Sequence, residues 1–200
     1  SFQHKRRIGE NLDFVIGARF NKQNSYIKFV DKDRLAMNLK FRYRDPNISG
    51  LTYGINTNLM HEINDRFIFF DNDSSGSYLP YKADEDDDPL LFEEVTNNFS
   101  FTPNLIYITK SGSMHKLSSS YFSVIYIDDD VVFPLNTLRS TYQFQKSIFS
   151  NDAITIGSDL AYGWILNADL FNQLEPYTVT TSLYTQYERE FGDLRVVIGG

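Results

Sequence analysis

The feature that most constrains this chain is a two-residue alternation of apolar and polar side chains, repeated in run after run. In Arg34–Arg44, Leu35, Met37, Leu39, Phe41 and Tyr43 alternate with Ala36, Asn38, Lys40, Arg42 and Arg44. Leu12–Phe20 puts Leu12, Phe14, Ile16, Ala18 and Phe20 on one side, with Asp13, Gly17 and Arg19 on the other. Leu51–Met60 sets Leu51, Tyr53, Ile55 and Leu59 against Thr52, Gly54, Asn56 and Asn58. A helix would scatter these residues around its circumference, whereas a strand sorts them by face. Further runs lie at Asn98–Ile108, His115–Asp128, Asn136–Lys146, Ala153–Trp164, Tyr177–Glu190 and Leu194–Gly200, and Phe2–Arg7 is placed to pair with Leu12–Phe20. The expected fold is all-β with about ten strands. Most runs reach about nine residues, where globular strands usually stop at about five or six and a bilayer-crossing strand needs about nine to eleven.

Alternation also suits a soluble sandwich with its apolar face turned inward. The connections separate the two. Short links fall at Ile8–Asn11, Asp45–Gly50, Thr109–Met114, Ser147–Asp152 and around Phe191–Asp193. Longer ones at Asn21–Asp33, His61–Asn97, Asp129–Leu135 and Ile165–Pro176 come between them. Short and long in strict alternation is the layout of an antiparallel up-and-down transmembrane β-barrel, with periplasmic turns and extracellular loops. Aromatics gather beside the short links: Tyr43 and Tyr53 at one, Tyr107 at another, Phe144 at a third, Tyr187 and Phe191 at the last. Rings massed at one level of a wall suit a membrane interface, where one end is dry and the other wet. A sandwich has no reason to collect them there.

Composition narrows the function classes. The chain holds 13 Tyr and 17 Phe, residues that favour pleated, half-buried surfaces. It has no cysteine, hence neither a disulfide framework nor a thiolate site. A net charge of −7 argues against nucleic acid as a partner. No apolar run approaches the roughly 18 residues of a membrane helix, so any crossing is by strands. There is no G-x-S-x-G, H-E-x-x-H or phosphate-cradling glycine loop, and no enzymatic activity is expected. A Ser–His pair of His115 and Ser119, on one face of their strand, is the weaker alternative of a barrel lipid hydrolase. His4, His61 and His115 lie on three elements without metal-ligand spacing, and no cofactor is expected. For His61, an interfacial role outweighs axial haem ligation.

On the polar side of their strand, Asn38, Lys40 and Arg42 are candidates to face a lumen and whatever fills it, with Arg44 near the periplasmic rim. The link His61–Asn97 carries the ligand candidates Tyr78, Tyr81, Asp84 and Asp86, although an acidic run such as Asp84–Asp88 is more often a solvated loop. Asp71, Asp73, Ser75 and Gly76 match the opening of a calcium loop. Lys82 stands where its bidentate Glu belongs, and a plain polar turn is the better reading.

The stretches Gly50–Met60 (GLTYGINTNLM), Ser75–Tyr81 (SGSYLPY), Tyr107–Phe122 (YITKSGSMHKLSSSYF) and Tyr142–Lys146 (YQFQK) resemble, in their succession, the barrel of TonB-dependent outer-membrane receptors. The resemblance covers nearly all the chain. It implies about ten strands of a barrel of about 22 that encloses an N-terminal plug. Residues 1–200 would be part of that single barrel domain, with plug and TonB box outside them. It further implies energised uptake of a scarce nutrient (siderophore, haem, cobalamin or glycan), outer-membrane lipid and the plug as partners, TonB reached through the N-terminal region, and, in many such receptors, a surface lipoprotein. A passive porin, or a small structural barrel complete at ten strands, is the alternative.

Overall fold

A computed structural model describes residues 1–24, 31–66, 92–128, 131–149, 151–166, 176–192 and 194–200. They form ten strands and, among the described residues, no helix: β1 (Phe2–Ile8), β2 (Leu12–Asn24), β3 (Asp31–Arg44), β4 (Leu51–Arg66), β5 (Phe92–Ile108), β6 (Met114–Asp128), β7 (Val131–Ser147), β8 (Asp152–Ile165), β9 (Tyr177–Phe191) and β10 (Leu194–Gly199). All belong to one sheet in sequence order, each antiparallel to the next. Every expected strand is present. The sandwich reading required a second packed layer, and the described residues contain none.

Four of the five tight turns place a glycine at positive φ: Gly9, Gly50, Gly112 and Gly192. Gly50 is the most constrained. At φ +83°, an added Cβ would lie 2.1 Å from the Ile108 carbonyl oxygen, so neither the backbone angle nor the space admits a side chain. The turn itself is tied by Asp45, whose Oδ1 accepts from the amides of Asn47 and Ile48.

The strands outrun the apolar alternation at the opposite end. There the ladder continues through polar residues, held across strands by Lys22–Asp33 at 3.7 Å and Lys32–Glu62 at 2.6 Å. The expected link Asn21–Asp33 therefore contracts to residues 25–30, and His61–Asn97 to residues 67–91. Asp129–Leu135, read as a long link, is only residues 129–130. Pro134 does not end β7, but sits within it opposite Ile125, its carbonyl accepting from Leu166 N–H. The strict short–long alternation thus fails here, and also at residues 25–30, a link no longer than the turn at residues 45–50.

The sheet is sheared. One row of facing residues runs Phe2, Ala18, Met37, Leu59, Phe99, Ser123, Asn136, Trp164, Tyr177. Phe2 lies six residues from the last residue of β1, and Tyr177 lies fourteen from the last residue of β9, a drift of eight residues over eight strand steps. With a rise of about 3.4 Å per residue and about 4.8 Å between strands, the strands slant about 35° to the row of tight turns, the tilt of a barrel wall.

Candidate functional site

Because side chains alternate, the register divides the sheet into two faces. The first carries Phe14, Phe41, Ile55, Phe101, Leu117, Leu160 and Leu183 among many others; the second carries Asp13, Asn38, Lys40, Arg42, Asn58, Thr102, Ser118 and Asp159. Leu51 and Val124 are the buried hydrophobics among the described residues. Most exposed large hydrophobics stand instead on the first face, up to 84% exposed at Leu183. A protein of this size normally hides such residues in a core. Here they form a continuous apolar band far beyond the patches tolerated on soluble monomers.

Both borders of that band are marked. Near the tight turns Tyr43 and Tyr53 stack at 6.4 Å. Tyr107 and Phe144 flank His115 at 6.3 and 5.0 Å. Tyr187 reaches Asp152 with its hydroxyl at 3.1 Å. All five sequence-expected girdle residues thus lie on the apolar face towards the tight turns. The structure adds Tyr142, which contacts His115 Nδ1 at 2.8 Å, and Arg189, lying 4.9 Å from the Phe191 ring. Towards the other end, Tyr162 stacks on Trp164 at 5.1 Å and meets Tyr177 at 6.1 Å. This second aromatic group was missed in the sequence, where the residues sit on either side of the link at residues 167–175. Above the band the face turns polar, with His61 Nδ1 and Asn97 Oδ1 2.7 Å apart.

The polar face is built differently. Asn38 lies against Gly17 directly opposite, Asn104 against Gly54, and the Tyr184 ring against Gly157, each filling the space a Cβ would need. Lys40 and Arg42 follow Asn38 on β3, and register brings three guanidiniums onto one carboxylate. Arg7 Nε donates to Asp13 Oδ1 at 2.9 Å, Arg42 Nε and Nη2 donate to Oδ2 at 2.9 and 2.6 Å, and Arg44 Nη2 to Oδ2 at 2.7 Å. Further along, Arg139 binds Asp159 through two parallel bonds of 2.9 and 2.6 Å, while Thr141 donates to the same carboxylate at 2.8 Å. Chemically, this face offers charged donors and polar amides, suited to water and anions.

His115 and Ser119 do not form a dyad. Four residues apart on an extended strand they stand about 13 Å from each other. Their partners are Tyr142 and Ser140. No group of three His, Asp or Glu that could hold a metal occurs among the described residues. The ligand candidates Tyr78, Tyr81, Asp84 and Asp86, and the calcium-loop residues Asp71, Asp73 and Ser75, lie outside the described residues. No family model and no curated protein matches this chain.

Proposed function

We propose that this chain is wall of a transmembrane β-barrel in a bacterial outer membrane, and that the barrel serves TonB-dependent uptake of a scarce nutrient. One observation supports the membrane wall above all. A single slanted sheet carries an exposed apolar band on one face, bordered by aromatics at both ends, and a charged, amide-rich face on the other. From Leu35 to Tyr43 the band spans about 27 Å along β3, or about 22 Å across a membrane at a 35° slant, close to the roughly 25 Å of outer-membrane barrels. Lipid is the solvent that makes an apolar exterior stable, and water or an enclosed domain suits the other face. The energised-uptake part of the reading rests on the family resemblance of Gly50–Met60, Ser75–Tyr81, Tyr107–Phe122 and Tyr142–Lys146.

The test is the intact mass and N-terminal sequence of the source protein extracted from outer membranes. The expected result is a mass several times the 23.2 kDa of this chain, with a plug-like segment at the N-terminus. A mass near 23.2 kDa would refute the transporter and leave a small barrel. Recovery in the soluble fraction would refute the wall.

A further inference from the structure

We propose that the polar face of β1–β3 binds a multiply charged oxyanion, a polycarboxylate or phosphate ester, and guides it along the wall. The proposal rests on that face lining the lumen. Its first support is a local charge reversal. The chain carries a net −7, yet the polar positions of β1–β3 hold eight cations against Asp13 alone. Two of the eight, Lys32 and Arg34, share Glu62. The same face of the following strands has no such excess of cations: Asn, Ser, Thr, Gln and apolar residues predominate on β4–β7, with scattered charges such as Glu62, Lys116 and Arg139.

The second support is geometric. Asp13 is only 12% exposed beneath guanidiniums that stay 62%, 54% and 35% exposed at Arg7, Arg42 and Arg44. One carboxylate fixes three planar forks in place and neutralises one of them. Two positive charges and several N–H donors are left for an external anion, held without the usual ordering cost. The third support is continuity. Lys40 lies two residues from Arg42, and Arg19 lies four residues from Val15, the partner of Lys40. Neither makes an ion pair among the described residues. The steps are about 7 and 13 Å, so an anion leaving one cation meets the next. Several weak cationic positions in series are what anion passage requires. An acidic protein segment packed at one level would need no such ladder.

The experiment titrates the purified full protein, and its Arg19→Gln/Lys40→Gln variant, with citrate and with inorganic pyrophosphate. Saturable, salt-sensitive binding of at least one is expected, weakened about tenfold or more in the variant. The preferred probe identifies the source class. Lys40→Gln alone serves if the double variant does not fold. In parallel, Lys40→Cys in a cysteine-free background is exposed to a water-soluble thiol reagent and to a lipid-borne quencher. Reaction with the aqueous reagent, combined with binding of neither anion, overturns the oxyanion site while leaving the lumen reading intact. Quenching from lipid overturns both. Binding that appears only after an internal protein domain is removed assigns the cations to acidic protein and overturns the proposal.

Discussion

Replacing Leu39 with arginine puts a guanidinium in the middle of the apolar band of β3. Leu39 lies four residues from Leu35 and four from Tyr43, about 13 Å along the strand in each direction and about 11 Å in depth at the 35° slant. With lipid against this face, as proposed, a charge at that depth would have neither water nor headgroups within easy reach. On a barrel's lipid face it costs about 2–4 kcal/mol, falling to about 0–1 kcal/mol near either interface. Arginine scanned through positions 35, 37, 39, 41 and 43 should therefore give a profile that peaks at Leu39 and declines on both sides. The control is Asn58→Arg. Asn58 is exposed on the polar face opposite Asn38, and the change loses one hydrogen bond to Ser100, costing about 1 kcal/mol at most. Reversible urea unfolding of the full protein in lipid vesicles, followed by fluorescence, reads these differences. Equal costs at Leu39 and Asn58 would refute the assignment of faces. A uniformly severe profile, as in a protein core, would refute lipid as the partner of the apolar face.

Three further outcomes follow from local geometry. Gly50→Ala combines a left-handed backbone, about 1–2 kcal/mol, with displacement of the Ile108 carbonyl, whereas Gly112→Ala, with nothing within 4 Å, incurs only the first; the Gly50 variant should lose its folded, SDS-resistant gel form at distinctly lower temperature. A double-mutant cycle of Gly157→Ala and Tyr184→Ala should show coupling of about 0.5–3 kcal/mol, because the ring occupies the space the new methyl needs, and additivity would refute that contact. Tyr142→Phe removes the hydroxyl that meets His115 Nδ1 while keeping the ring, and should cost about 0.5–1.5 kcal/mol in the urea assay.

The strands were legible wherever apolar and polar residues alternate. Between Leu35 and Tyr43 each apolar residue reports its face, so fold class and the short turns could be read without coordinates. Past the band that reporter is lost. Glu62, Asn64 and Asp65 are as polar as any loop, yet they continue β4, because backbone pairing and cross-strand charges hold the ladder where side-chain burial does not. Asp129–Leu135 was misjudged because acidic residues and a proline signal a loop only when the backbone N–H is needed, and Pro134 is accommodated within β7. Asn38, Lys40 and Arg42 could be assigned to the polar side from parity alone. Their partners could not, since Arg7, Asp13 and Arg42 meet only once the registers of β1–β2 and β2–β3 are fixed. Trp164 and Tyr177 were visible individually, but their adjacency is a consequence of pairing across a long link.

With the sheet as barrel wall, as proposed, the charge on its polar face bears on the width of the lumen. In lipid a strand cannot leave its edge hydrogen bonds open, and the sheet has two such edges, on β1 and β10. If they paired with each other, ten strands at this slant would stand about 9 Å from the barrel axis, a bore that side chains fill. The eight cations of β1–β3 would then be pressed against the facing strands. There Asp159 is already bound by Arg139 and Glu188 by Arg195. Lys5, Arg19 and Lys40, which make no ion pair among the described residues, would lose their water there, and desolvating three unpaired charges is far costlier than a wider, wet interior. Cysteines placed at positions 3 or 5 on β1 and 195 or 197 on β10 should therefore form no cross-link within one molecule under oxidation, since a disulfide needs Cα atoms within about 7 Å. Efficient intramolecular cross-linking in the folded membrane form would refute the wide lumen, and with it the hydrated path on which the cation ladder depends.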